Sequence, residues 1–388
     1  MQPFVIPNLS LKSMVYFHIP FCRRACHYCD FHFSTSLAHR EEMVECLAKE
    51  LELRASYLTD KTVRSVYFGG GTPSILETDD IQRLIDRVAA HFNLAADAEI
   101  TLEANPDDLN AQKVSKLRGT AVNRFSIGIQ SFFDEDLIWM NRAHRAPEAE
   151  ASLKSVRDAG FANITCDLIY GFPLLTDEKW RTNIAMLTDS RIPHISCYAL
   201  TVEERTALAH HIRKGKTAPL DEGQSAAQFE MLMRILSEKG YEHYEISNFS
   251  LPGMNAIHNT NYWFGAHYLG IGPSAHSFNG RSRSWNVANN MRYIEGIRQG
   301  RPTSESETLT PNDQLNEYLM TSLRTMWGTD LALLEKRFGP ADRLRTEDAV
   351  RPFIRSGDAV REENRIKLTA KGKLFADRIA SELFSTDN

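Results

Sequence analysis

The 388-residue chain has no apolar run long enough to cross a bilayer, no internal repeat and no low-complexity tract. Residues 1–13 hold one lysine and two prolines and lack the basic start and apolar centre of a secretion signal, so the expected compartment is the cytoplasm. Neither sign of charge dominates: 45 Lys and Arg stand against 50 Asp and Glu, a net charge of −5, which argues against a surface built to coat nucleic acid. Cysteine is scarce. Of the six, Cys46, Cys166 and Cys197 stand singly and read as buried free thiols suited to a reducing compartment.

The other three lie together in His18-Ile-Pro-Phe-Cys-Arg-Arg-Ala-Cys-His-Tyr-Cys-Asp-Phe31. Cys22, Cys26 and Cys29 follow C-x3-C-x2-C directly after the strand-like run Met14–Ile19. A loop that short wraps one compact metal centre. Three thiolates can each hold one iron of a four-iron, four-sulfur cube, which leaves the fourth iron open to a small molecule. Two other readings stay open on the loop alone: zinc held by the three cysteines with His27 or His32, and a Cys26/Cys29 redox pair.

From Met14 to about Leu200, β-branched or aromatic runs alternate with helical stretches, the rhythm of parallel strands joined by crossover helices. Strands are predicted at 14–19, 63–68, 98–103, 123–129, 163–169 and 194–199, with helices near 40–58, 78–92, 110–118, 147–159 and 177–188. The fold class is α/β. Six strand-helix units are too few for a closed eight-fold barrel and predict an open partial (β/α)6 barrel of TIM type. In such folds the working residues lie beyond the carboxyl ends of the strands.

Those ends are unusual here. The cysteine loop follows the first strand, Gly69-Gly70-Gly71-Thr72-Pro73 the second, Glu103-Ala104-Asn105-Pro106 the third and Gln130-Ser131-Phe132 the fourth; Asp167 lies within the fifth, and Tyr198-Ala199 closes the sixth. Three successive glycines allow close backbone approach and offer amide donors to a carboxylate or phosphate, or simply make a tight turn. Glu103 and Asp167 are acids on mainly apolar strands. Each needs a donor, which a ribose hydroxyl, an ammonium group or Arg142 would supply, unless it caps a following helix.

The motifs HIPFCRRACHYCDF, FGGGTPS, LEANPDD, SIGIQSF, NRAH, DLIYGFP and HNTNYW together resemble the radical S-adenosylmethionine (SAM) family over nearly the whole chain. The resemblance is to the group that contains oxygen-independent coproporphyrinogen III oxidase and a related haem-chaperone branch. It implies a [4Fe-4S] cluster on Cys22, Cys26 and Cys29, with SAM as the exchangeable ligand of the fourth iron. One electron from the cluster then cleaves SAM to methionine and a 5′-deoxyadenosyl radical. It implies Tyr28 against the adenine, and Tyr16, Gly70, Gly71, Thr72, Glu103, Gln130, Arg142, Asp167 and Ala199 as SAM contacts. Glu103 would take the SAM ammonium, Asp167 the ribose and Arg142 a carboxylate.

Two departures set the chain apart from the oxidase type, which carries a further cysteine where Phe31 stands and a longer N-terminal extension than the 21 residues before Cys22. Both match the chaperone branch. In that branch the motif matched by His258, Asn259, Tyr262 and Trp263 is implicated in haem binding, with haem b as cargo. The partners then implied are haem, haem-acceptor proteins and a reductant protein, with a homodimer allowed, no stable nucleic acid, no transmembrane segment, and peripheral membrane contact during delivery. Propionate decarboxylation of coproporphyrinogen III is the alternative activity. The glycines of Tyr268–Phe278 read equally as backbone lining a cavity, which His276 could face, or as a glycine-rich turn between strands.

The expected division is an N-terminal extension at 1–13, the core at 14–238, a linker and barrel-closing segment at 239–300 and a winged-helix-like α+β domain at 301–388. In the last, helices are predicted at Pro311–Thr325, Leu331–Phe338, Arg345–Arg355 and Thr369–Phe384, with a hairpin between the final two. Between Glu335 and Lys373 eleven bases face seven acids. An RNA-acting enzyme is the reading that excess would favour, but interleaved charges read first as a solvated face, and a cap over the barrel mouth or a docking surface is the expected role.

Overall fold

The computed structural model describes residues 13–301 and 303–385. The expected extension at 1–13 lies outside them apart from Ser13. The parallel strands are β1 (Ser13–Ile19), β2 (Thr62–Gly70), β3 (Asn93–Ala104), β4 (Arg124–Gln130), β5 (Asn163–Tyr170) and β6 (His194–Ala199), each paired with the next in that order. Crossover helices Arg40–Leu53, Thr78–His91, Ala111–Arg118, Ala146–Asp158 and Asp177–Asp189 cover the outside. This is the open partial barrel that the sequence rhythm predicts.

Both edges are extended. On one side β7 (Glu242–Glu245) and β8 (Asn248–Ser250) turn back antiparallel on β6. On the other, β9 (Tyr268–Ile271) adds parallel to β1, followed by the antiparallel β10 (His276–Phe278), β11 (Ser282–Asn286) and β12 (Ser304–Thr308). Strand β12 thus belongs to the large sheet, and residues 309 onward form the smaller module. Its three-stranded antiparallel sheet of β13 (Thr329–Asp330), β14 (Ala359–Glu362) and β15 (Arg365–Leu368) packs with helices on a separate apolar core.

Several boundaries differ from the pattern. Pro340 starts the helix expected at Arg345, because a proline at the first turn loses no hydrogen bond. The helix expected to run to residue 58 stops at Leu53 and continues as a 3-10 turn, Ala55–Tyr57. The last helix is two pieces, Ala370–Lys373 and Ala376–Glu382.

The β9–β12 edge is fastened by a buried carboxylate. Glu50 accepts hydrogen bonds from Arg54 Nη1 (3.1 Å), Gly272 N (2.8 Å), Asn286 Nδ2 (2.7 Å) and Tyr293 OH (2.6 Å). Arg54 also reaches the Gly270 carbonyl and the hydroxyls of Ser277 and Ser284. Gly270 and Gly272 thus serve this lock, and neither lines the cavity at the strand ends, while His276 is exposed and stacks on Trp285. Glu50→Ala leaves Arg54 buried without its anion and is expected to cost about 3–5 kcal/mol, read from urea unfolding.

The smaller module does not cap the mouth. It docks on β7 through Met326 N to the Tyr244 carbonyl (2.9 Å), and Trp327 lies beside Tyr244 and Phe264. Many of its bases are engaged by acids: Arg343 with Glu335 and Glu347, Arg365 with Asp330, Lys367 with Glu362 and Lys371 with Asp358. That interleaved pairing is the solvated face expected of the module.

Candidate functional site

A cavity of about 540 Å³ opens at the carboxyl ends of the parallel strands. All three cluster-loop cysteines line it, with Tyr28, Gly70, Gly71, Thr72, Glu103, Gln130, Arg142, Asp167 and Ala199. Tyr16 is set back, stacked on Tyr67 at 6.1 Å with its hydroxyl 3.3 Å from His18 Nδ1. Among the haem candidates only Asn259 reaches the wall.

The glycine run braces the loop. Gly71 N–H donates to the Ile19 carbonyl (2.9 Å) and Thr72 N–H to the Phe21 carbonyl (2.7 Å), while Gly70 N–H serves the Glu103 carboxylate. These amides are therefore not free for a ligand, a correction to the expectation that they cradle one. A side chain at Gly71 would lie 2.6 Å from the Phe21 carbonyl oxygen, and Gly70 has φ of +105°. Both must be glycine for the second strand to press against the cysteine loop. Thr72 Oγ1 then donates to Cys22 Sγ at 3.4 Å, and Arg142 Nη1 lies 3.5 Å from Cys26 Sγ.

The open readings of the loop separate on this geometry. His27 Nδ1 is 2.7 Å from the Trp139 carbonyl and His32 Nε2 is 2.7 Å from Asn290 Oδ1, so each ring has only its other nitrogen to offer a zinc ion. Among the described residues no three His, Cys, Asp or Glu side chains close on one point as a single zinc requires; cysteines on separate irons of a cube need not. Burial pushes the Cys22 thiol up to about 11 and Cys29 up to about 12, the reverse of an activated redox thiol. Bound iron is what would hold them ionised.

The rest of the wall also fits a charged organic cofactor. Gln130 Oε1 and Arg142 Nε are buried and without a hydrogen-bond partner among the described residues. Gln130 holds φ of +66°, a strained conformation for a residue with a side chain. Arg142 Nη2 is fixed by Asn105 Oδ1 and the Gly128 carbonyl, both at 2.7 Å. Burial raises the Glu103 carboxyl to about 7 and Asp167 to about 6, as expected of acids that face a cavity without a cation.

The residue reading missed Tyr67, which donates to Glu103 Oε1 at 2.7 Å, and Arg124, Ser126, Thr165 and Ser196 in the wall. The signal was available. Arg124, Ser126, Gly128 and Gln130 on β4, Thr165, Asp167 and Ile169 on β5, and Ser196 and Tyr198 on β6 are alternate residues, the inward face of each strand.

The helix Ile257–Trp263 contributes Asn259 to the cavity wall. Glu99 accepts from Ile257 N and His258 N, both at 2.9 Å, and lies 3.6 Å from Arg124. His258 is buried against Tyr67 (4.8 Å), with Nδ1 at 2.8 Å from Ser65 Oγ and Nε2 at 3.3 Å from Tyr262 OH. Both ring nitrogens are engaged. Trp263 faces out to Arg324 of the smaller module at 5.5 Å.

A partial barrel with a three-cysteine loop over such a cavity defines a radical SAM protein. Residues 16–187 match the Radical SAM superfamily and residues 309–375 the HemN C-terminal domain. The chain is 35% identical over 386 residues to "Heme chaperone HemW" of Mycobacterium tuberculosis, covering 98% of this chain and 97% of that one. A protein of the same name from Lactococcus lactis is 32% identical, covering 98% and 99%. This chain belongs to the HemW family of radical SAM proteins. Its fold also matches the coproporphyrinogen III oxidase HemN of Escherichia coli, with a TM-score of 0.83 and 25% identity over 96% of this chain and 90% of that one. Radical SAM membership implies a [4Fe-4S] cluster and SAM. Among the described residues no helix is long and apolar enough to cross a membrane.

Proposed function

We propose that this chain is a haem chaperone, holding a [4Fe-4S] cluster on Cys22, Cys26 and Cys29, binding SAM in the cavity and passing haem to acceptor proteins. The observation that carries the reading is near full-length likeness to proteins named heme chaperone HemW, through both the barrel and the smaller module. Phe31, 67% exposed at the cavity edge where the oxidase type has a further cysteine, supports the same branch.

Within the site Glu103 takes the SAM ammonium, Asp167 the ribose hydroxyls, and Arg142 the SAM carboxylate through its unpartnered Nε. Tyr28 and Ala199 flank the adenine. Gln130 offers its free carbonyl oxygen as an acceptor, and Tyr16 acts from behind through Tyr67. Cys22, Cys26 and Cys29 would hold the cluster, which when bound and reduced by a partner protein would supply an electron for chemistry at the SAM sulfonium.

The test is anaerobic reconstitution followed by haem titration in the same cuvette. The expected result is a saturable shift of the haem absorption band at about one haem per chain; no shift refutes the carrier reading. Because the fold matches HemN, the same preparation should be incubated with reductant, SAM and coproporphyrinogen III. Multiple-turnover formation of protoporphyrinogen would establish the oxidase instead.

A further inference from the structure

The helix Ala207–Arg213 lies on the outer side of the cysteine loop, where Leu208 N–H donates to the His27 carbonyl at 2.7 Å. From Arg205 to Leu220 the chain holds no acid, and Arg213, Lys214 and Lys216 are all exposed. No ion pair engages any of the three among the described residues. Bases in the last turn of a helix answer its carbonyl dipole, but that effect fades within the turn, and Lys216 stands beyond it. The smaller module shows the contrast, since its bases are interleaved with acids that pair them. Here three cations are left unneutralised on a chain whose net charge is −5.

Position gives these bases their meaning. The turn after the helix Asp134–Trp139 also grips the loop, with His27 N–H on the Met140 carbonyl (3.0 Å) and Asn141 Nδ2 on the Ala25 carbonyl (2.8 Å). Trp139 Nε1 donates to Thr217 Oγ1 at 2.9 Å, which joins that helix and the basic turn into one surface. Ile138 stands out on it, 57% exposed and bordering the same recess as Lys216. On their inner side the cysteines line the cavity assigned to SAM, so an electron bound for the irons comes from the outer side. Complexes between electron carriers are small and are steered together by opposite charge. A basic rim beside one exposed isoleucine, behind the thiolates, has that make-up.

We propose that Arg213, Lys214 and Lys216 form the docking surface for the reductant, a small acidic protein that carries a one-electron flavin centre. The inference rests on the cluster assigned to Cys22, Cys26 and Cys29 and states where its electron enters. The partner's reduced flavin, as its anion, gives up one electron, the oxidised cluster accepts it, and no proton changes hands. A nucleic acid would meet the same charges but brings no electron to the back of the loop.

The experiment titrates an acidic flavodoxin into cluster-loaded full-length protein at low and at raised salt, reading affinity from the flavin fluorescence. One variant combines Arg213→Glu, Lys214→Glu and Lys216→Glu. The control combines Lys336→Glu, Arg351→Glu and Arg355→Glu, the same change of charge at exposed positions of the smaller module. Reversal of the patch is expected to weaken binding at least about tenfold at low salt and to flatten its salt dependence, with the control within about twofold of wild type. EPR of the cluster after adding reduced flavodoxin reads the transferred electron, while dithionite, which needs no docking surface, should reduce every variant alike. Unchanged flavodoxin affinity on reversal of the patch, or an equal loss in the control, overturns the docking surface. So does a reversal that abolishes retention on single-stranded RNA or anionic vesicles and leaves flavodoxin binding untouched. Wild type that holds iron and sulfide and is reduced by dithionite, yet binds no flavodoxin, overturns the docking surface and leaves the cluster standing. Wild type without iron and sulfide overturns both.

Discussion

Cys26→Ser protein, reconstituted anaerobically with iron and sulfide, should retain less than one iron where wild type takes up about four, and lose the broad visible absorbance of the cluster. The cube leans on three thiolates that share one short loop, so removing any one leaves two anchors and an exposed corner. Cys46→Ser is the control. That thiol is buried, with its sulfur 3.8 Å from the Ile294 carbonyl, and its replacement should leave iron content unchanged. SAM affinity should fall in the Cys26 variant, because the ligand then loses its iron anchor. Retention of four irons by Cys26→Ser would refute the assignment of the loop.

The second large effect is on the pH dependence of SAM binding. Burial holds the Glu103 carboxyl up at about 7, so below that value the acid is protonated and must lose its proton before it can face an ammonium. Affinity should therefore fall by up to about tenfold per unit as pH drops below 7, with Asp167 adding a second step near 6. Glu103→Gln should weaken binding about ten- to a hundredfold at pH 8 and erase the upper step while sparing the lower.

Stability has the opposite sign. Both folded values lie above the unfolded ones, so the stabilisation from these two acids is complete below about pH 4 and is lost as pH rises through 6 and 7. Bound SAM offsets the loss. Its thermal shift should thus grow between pH 6 and pH 8; a shift independent of pH would exclude Glu103 and Asp167 from the cation's surroundings.

Much of this was legible in the sequence because local chemistry announces it. The six parallel strands show as apolar runs, and strands so enclosed must place function at their ends, where Cys22, Gly70, Glu103 and Gln130 were read. What escaped depends on long-range partners. Nothing near Glu50 in sequence says that Tyr293 and Asn286 will meet it, so the β9–β12 edge could not be drawn. The glycine run was read as a ligand cradle because positive φ and close approach look alike whether the neighbour is a cofactor or the Phe21 carbonyl. His258 entered as a haem candidate through the family resemblance of its motif. What the motif could not show is that Ser65 and Glu99, from distant strands, hold its ring and its backbone N–H.

The short helix Ile257–Trp263 touches two places at once. One end carries Asn259 into the SAM cavity, and the other rests Trp263 under Arg324. Should an acceptor dock on the smaller module and shift it, the helix would carry that displacement to the cavity wall at Asn259. Reciprocity then requires that filling the cavity change acceptor affinity by the same factor. Cofactor occupancy would in that way report to the outside whether the carrier is ready to unload, with no cleavage of SAM required.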